Sequence, residues 1–227
     1  MARHILALET AGFYGSVAVA DGPVVLHSAA LAPPRRTAQG LAPLVAQVLA
    51  EVAWRPHDIE LVAVTIGPGS FTGLRVGVVT AKTLAYATGA AVVGINTLAA
   101  IAWQSPAACL RVGTVLDAQR QQLFSATWQR TASGRWENDS PTQLYDNDDW
   151  LRSRQPGDVV TGSGLTRLAA HLPAGVVSLP PTCWEPTAAA VAALAHLRAE
   201  DNALDTHWTL VPQYYRLSAA EEKRAAR

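Results

Sequence analysis

The order of elements along the chain predicts an α/β protein of two similar lobes that face one another across a cleft. Two observations carry this. Strand-like and helix-like stretches alternate, which calls for mixed sheets with helices packed on them. The succession β-β-β-α-β-α-β-α is also read twice along the 227 residues. The division falls near Gln104, giving an N-terminal lobe over 1–103 and a C-terminal lobe over 104–227 with a fraying tail after Leu217. A chain of this length buries roughly 70% of the surface that its unfolded form exposes, so core formation is not limiting.

In the first half, Arg3–Glu9 and Gly15–Ala20 read as strands, and Asp21-Gly22 supplies a hairpin turn into a third strand from Pro23 to about Ser28. Pro33-Pro34 breaks the chain. A helix follows, with Leu41, Leu44, Val45, Val48 and Val52 on one face and Pro43 early enough to be tolerated. Leu61–Ile66 is a buried strand. Gly67-Pro68-Gly69 then leads to Ser70, an N-cap for a helix from about Thr72 to Ala87 that stops near Gly89. Ala91–Ile95 is a short strand and Thr97–Trp103 a third helix. In the second half the strands are Arg111–Leu116, Leu123–Trp128, a weak one around Arg135–Glu137, Val159–Thr161 and Ala174–Leu179. The helices are Asp146–Arg154, one opened by Gly162-Ser163-Gly164, and Ala188–Ala199 capped by Thr187.

Composition excludes several classes. The formal net charge is zero, whereas a stand-alone nucleic-acid binder needs a basic patch to neutralise phosphates. The dense basic spots are Arg35-Arg36 and the mixed-charge tail with Lys223, Arg224 and Arg227. Cys109 and Cys183 lie far apart and suggest neither a disulfide framework nor a metal site. Met1-Ala2-Arg3-His4 runs straight into a strand, so no secretory leader and a cytoplasmic location are expected. Thr83–Leu110 carries no charge, yet Gly89, Gly94, Asn96, Gln104 and Pro106 interrupt it. A membrane span needs ~20 predominantly apolar residues, and a buried helix–strand–helix accounts for the stretch better.

The loop Gly67–Arg75 joins a strand to a helix, where backbone N–H groups could hold an anion. It matches neither common phosphate motif. Gly73 is followed by Leu74 and Arg75 rather than Lys-Ser/Thr, and Gly67, Gly69 and Gly73 are spaced one residue too wide for a dinucleotide loop. The helix beyond it carries Gly73, Gly77, Ala81, Ala85 and Gly89 four apart, which lines up a strip without side-chain bulk. Each interior glycine costs about 0.5–1 kcal/mol relative to alanine, so the strip needs a packing reason: a partner helix or the chain's own sheet. The first helix has a small strip of its own, Ala38, Ala42, Ala46, Ala50 and Ala53. A helical docking surface for a partner is inferred. If it is correct, Gly77→Leu or Ala81→Leu blocks assembly and spares the fold; if the strip faces the core, the monomer loses stability instead.

Catalytic signatures are scarce. The six histidines form no ligand pair, and no G-x-S-x-G elbow exists. Glu9 and Asp117 end corresponding strands of the two lobes. They could hold magnesium or act as acid and base, or they could cap turns.

Gly-Pro-Gly-Ser-Phe-Thr-Gly-Leu-Arg at 67–75, continued by Val76-Gly77 and Ala81-Lys82, resembles the signature of the TsaB (YeaZ) family. The likeness extends to Glu9-Thr10-Ala11, Gly94-Ile-Asn-Thr-Leu98, Asp117-Ala118 and Pro212-Gln-Tyr-Tyr-Arg216. The resemblance implies an actin/Hsp70-like (ASKHA, ribonuclease H-like) two-lobed fold. It implies a non-catalytic subunit that binds and activates a metal-containing catalytic paralogue, TsaD, together with the ATPase TsaE. The set transfers threonylcarbamoyl to the adenosine beside the anticodon of ANN-decoding tRNAs. It implies homodimers when the subunit is alone, tRNA contact through the complex, no membrane, no cofactor in the isolated chain, and ATP or ADP at the level of the complex. Carried over to this sequence, the partner interface is Leu41, Leu44, Val45, Val48, Gly73, Arg75, Gly77, Ala81 and Lys82. Glu9, Thr10, Asp117, Gly162 and Gly164 are the candidates for any cofactor contact. Three positions depart from the family's pattern: Glu9 stands for Asp, Thr37 for His, and Gln119 for Arg. Rival readings are a stand-alone ATP-dependent small-molecule kinase of the same superfold, a protease, and a homodimeric structural protein.

Overall fold

The computed structural model describes residues 4–12, 14–31 and 37–216, the last span with side chains from Gln39 onward. Arg35-Arg36, the side chain of Ala38 and the tail beyond 216 lie outside the described residues. The first sheet holds β1 (His4–Glu9), β2 (Ser16–Asp21), β3 (Val24–Ala30), β4 (Leu61–Gly67) and β5 (Ala91–Asn96) in the order β3-β2-β1-β4-β5. The second holds β6 (Arg111–Gln119), β7 (Gln122–Arg130), β8 (Trp136–Asp146), β9 (Val159–Thr161) and β10 (Val177–Ser178) in the order β10-β9-β6-β7-β8. Read from the β8 edge, the second order repeats the first. In each sheet the three leading strands form an antiparallel meander and the two later ones join in parallel. This is the two-lobed α/β architecture expected from the duplicated pattern.

Two strands differ from their sequence reading. The weak strand around Arg135–Glu137 is the long edge strand β8, masked by Asn138, Asp139 and Pro141. Proline, lacking an N–H, is tolerated on an edge. The strand expected over Ala174–Leu179 shrinks to β10 because Gly175, at φ 83°, turns the chain there.

The helices are α1 (Thr37–Glu51), α2 (Phe71–Thr88), α3 (Thr97–Trp103), α4 (Asn147–Arg152), α5 (Leu165–Leu168) and α6 (Ala188–Glu200). Side-chain acceptors cap three of them: Ser70 for α2, Asn96 for α3 and Thr187 for α6. Gly89 ends α2 in the left-handed conformation. Strand alternation sorts the first sheet into two faces. Leu6, Leu8, Val17, Val19, Val62 and Val64 meet α1 and α2, while Ile5, Ala7, Ala18, Ala20, Leu61 and Ala63 meet α6. The alanines of α6 let it lie close to the sheet. Each lobe thus lends a helix to the other: α6 follows the second sheet yet covers the first, and α3 follows the first sheet yet packs on β6, β7 and β8.

Candidate functional site

Glu9 closes β1 with its side chain sealed from solvent. One carboxyl oxygen, Oε1, accepts from the N–H groups of Ala11 at 2.6 Å and Gly12 at 2.9 Å. The other, Oε2, has no protein partner. Loss of hydration outweighs the two hydrogen bonds, and the Glu185 carboxylate adds repulsion, so the Glu9 pKa rises from 4.5 to about 8. Glu9 is therefore chiefly a neutral acid at pH 7. Burial of its carboxyl also pushes Glu185 upward. A methyl placed on Gly12 would lie 3.4 Å from Glu9 Oε2 and 3.5 Å from Glu185 Oε2, so the two acids converge on one point.

The acidic neighbour of Glu9 is thus Glu185, which the sequence reading did not single out. Asp117 uses its carboxylate locally: Oδ1 accepts from the N–H of Gln119 at 2.7 Å, and Oδ2 lies 3.6 Å from Arg167. That is turn capping. Gly162 has φ 119°, and a Cβ there would fall 2.0 Å from the carbonyl oxygen of Val115. Gly164 likewise lies against Val115 and donates its N–H to that carbonyl at 3.2 Å. These two glycines let the α5 turn approach β6. Among the described residues no group of three or more His, Cys, Asp or Glu side chains is placed to hold a metal ion.

The glycine loop is filled by its own chain. The N–H of Ser70 donates to the carbonyl of Ala11 at 2.9 Å, and the N–H of Gly73 donates to Ser70 Oγ at 3.2 Å. Two donors that could have met an anion at the start of α2 are therefore engaged. A Cβ at Gly73 would lie 2.0 Å from the Thr10 carbonyl oxygen, and one at Gly77 would lie 2.1 Å from Thr10 Oγ1. The small strip of α2 faces inward and exists so that the turn after β1 can press against it.

The carried-over interface residues divide by burial. Leu41, Leu44, Val45 and Val48 sit in the core between α1 and the sheet, and Gly73, Gly77 and Ala81 are buried beneath α2. They are unavailable as a free surface, because both helices turn these faces to one side of the same sheet. Arg75 is exposed; its guanidinium lies 3.8 Å from the Phe71 ring centre and donates from Nε to the Tyr214 hydroxyl at 2.9 Å. Lys82 is half-buried and donates to the carbonyl of Leu210 at 3.4 Å.

What the two helices turn outward is the complement. Among the described side chains these are Gln39, Ala42, Pro43, Ala46, Gln47, Ala50 and Glu51 on α1, and Phe71, Thr72, Arg75, Val79, Thr83, Tyr86 and Ala87 on α2. Val79 is 62% and Tyr86 85% exposed, and the charged groups in this set are Arg75 and, at the last residue of α1, Glu51. A helix pair whose outer face met only water would ordinarily carry charged residues there.

Residues 33–146 match the family model described as TsaD, tRNA N6-adenosine threonylcarbamoyltransferase. The chain is 35% identical over 137 residues to the tRNA threonylcarbamoyladenosine biosynthesis protein TsaB of Escherichia coli, spanning 59% of this chain and 58% of that protein. Against TsaB of Bacillus subtilis it is 28% identical over 238 residues, covering 96% of each. Against an uncharacterized protein of Mycobacterium tuberculosis it is 31% identical over 223 residues, covering 93% of this chain and 91% of that one. Among solved structures, YeaZ from Pseudomonas aeruginosa superposes with a TM-score of 0.81 at 24% identity, covering 94% of this chain and 100% of that chain, which bears on the fold. No helix among the described residues is long and apolar enough to cross a membrane. With its two lobes, its filled glycine loop and these relatives, the chain belongs to the TsaB (YeaZ) family.

Proposed function

We propose that the chain is the non-catalytic subunit of the machinery that makes threonylcarbamoyladenosine in tRNA, and that it docks on a TsaD-like catalytic paralogue through the outer face of α1 and α2. The observation that carries the docking is that face itself: two adjacent helices presenting Ala42, Ala46, Ala50, Val79 and Tyr86, with charge confined to Arg75 and to Glu51 at the end of α1. Depletion of charge with retention of aromatic and arginine residues is the signature of an interface core. The cleft supports a role without chemistry of its own. Glu9 is held neutral, Asp117 caps a turn, and the glycine loop is packed by Ala11 and Thr10. A TsaE-like ATPase and tRNA join at the level of the complex, and nucleotide binds there rather than in this chain. Alone, the chain pairs with a second copy through the same face.

The test is co-expression with the TsaD-like paralogue, followed by size-exclusion chromatography and a threonylcarbamoyl-transfer assay. Co-elution, with transfer only when both chains are present, supports the reading. Transfer by the paralogue alone at an undiminished rate, with no complex, rejects it.

A further inference from the structure

After α6 the chain turns back and runs over both lobes. On the first lobe, the N–H of Asp205 donates to the carbonyl of Val92 at 3.0 Å, and its carboxylate accepts from the N–H of Gly94 at 2.8 Å. Leu210 is 1% exposed and enters the core beneath α2, where a Cβ on Gly94 would lie 3.1 Å from its methyl. The N–H of Gln213 donates to the carbonyl of Ile66 at 2.7 Å. Three residues later the same segment holds the second lobe. The Tyr215 ring packs 6.2 Å from Phe124, and the Arg216 guanidinium donates to the carbonyl of Ala118 at 2.6 Å and to the side-chain oxygen of Gln122. Asn96, at the end of β5, donates to the Tyr215 hydroxyl at 3.2 Å and to Thr142 of β8 at 3.3 Å.

The strand ends tied in this way are the ones that matter for motion. Ile66 lies at the carboxyl end of β4 and Ala118 at that of β6. In open α/β sheets the crevice lies at the carboxyl ends of the strands. Extended chain covers at most about 3.6 Å per residue, so the Cα atoms of Gln213 and Arg216 lie within about 11 Å of each other and tether the two ends. The first lobe is shaped to receive the segment. Gly67 adopts φ 128°, and a Cβ there would fall 2.5 Å from the carbonyl oxygen of Gln213. The lobes also meet through α3, which packs on β6, β7 and β8 as well as on α6, through Asn96 and Thr142, and through the ion pairs of Arg135 with Glu200 and Asp201 of α6; the segment is the tie between the carboxyl ends of β4 and β6.

We propose that residues 205–216 form a latch across the mouth of the cleft. Leu210 fixes it to the first lobe, Arg216 closes it on the second, and the lobes separate only when the Arg216 end lets go. The latch is independent of which partner the chain meets.

Two spin labels test it in the full chain, at His57→Cys in the first lobe and Thr166→Cys in the second, both exposed positions, with Cys109 and Cys183 replaced by serine. Pulsed dipolar spectroscopy on spin-diluted protein is expected to give one narrow distance in the parent. In Arg216→Ala the distribution broadens and extends to longer distances, while circular dichroism and calorimetry show both lobes still folded. Arg216→Gln, which keeps a donor of similar reach, falls between the two and carries the test if the alanine variant does not fold. Distributions in both variants that superpose on the parent's would overturn the latch and leave the segment as a cover for Leu210 alone.

Discussion

At the scale of single residues, burial decides what Glu9 is. Its pKa is raised from 4.5 to about 8, so the native state keeps a proton that the unfolded chain has released. Between those values the native state binds more protons than the unfolded one, and stability falls as pH rises; above about pH 8 the loss is complete and the curve flattens. Glu9→Gln keeps the shape without the titration. Thermal denaturation of the variant is expected to show a flatter pH profile between pH 4.5 and 8 and a higher midpoint than the parent at pH 8.5, and parallel profiles would show that Glu9 titrates normally. Gly77 gives the second prediction at this scale. Its hydrogen faces Thr10, with Oγ1 2.1 Å and Cγ2 3.0 Å from where a Cβ would stand. Gly77→Ala is expected to cost about 1–3 kcal/mol by overpacking. Thr10→Ala removes both atoms and recovers part of that loss in the double variant. A cycle with no coupling between the two positions would rule out this contact.

At the scale of elements, the glycine strip shows how far a pattern reaches. The four-residue spacing of Gly73, Gly77, Ala81 and Ala85 places them on one face of α2 from periodicity alone, and the structure has that face. Periodicity does not say what lies opposite. A partner helix and the turn after β1 make the same demand for small residues, and the Thr10 turn is brought there by the pairing of β1 with β4, a contact some 55 residues apart in sequence. Glu185 went unread for the same reason: it reaches Glu9 only because α6 returns to the first sheet. β8 was shortened because Asn138, Asp139 and Pro141 are ordinary on an edge strand and look like loop in sequence. The outer faces of α1 and α2 give the prediction at this scale. Ala46→Glu and Val79→Glu change exposed helix positions, where substitutions usually alter stability within about 0.5 kcal/mol. At a partner interface each would bury an unpaired charge. Binding to the TsaD-like paralogue is expected to weaken at least about tenfold, more than 1.4 kcal/mol, with the melting temperature of the free chain nearly unchanged. Unaltered binding in both variants would remove this face from the interface.

At the scale of the molecule, the exchange of α3 and α6 sets what can fold alone. The repeat of β-β-β-α-β-α-β-α places a boundary near Gln104, but packing does not follow that boundary. A fragment 1–103 would keep the first sheet and lose α6, exposing Ile5, Ala7, Ala18, Ala20, Leu61, Ala63, Val93 and Ile95, all of which are at most 3% exposed in the whole chain. It would also carry α3 without the second sheet, baring Leu98 and Ile101. Apolar area costs about 25 cal/mol per Å² when returned to water, and a domain's net stability is only about 5–15 kcal/mol, so uncovering one whole sheet face is enough to unfold the lobe. The full chain is therefore expected to unfold in one cooperative transition, with equal calorimetric and van't Hoff enthalpies. Fragment 1–103 is expected to lack dispersed amide resonances and to gain them when a peptide spanning 184–203 is added in trans. A fragment that is well dispersed alone would show that each lobe is its own folding unit and that the exchanged helices serve only to set how the lobes meet.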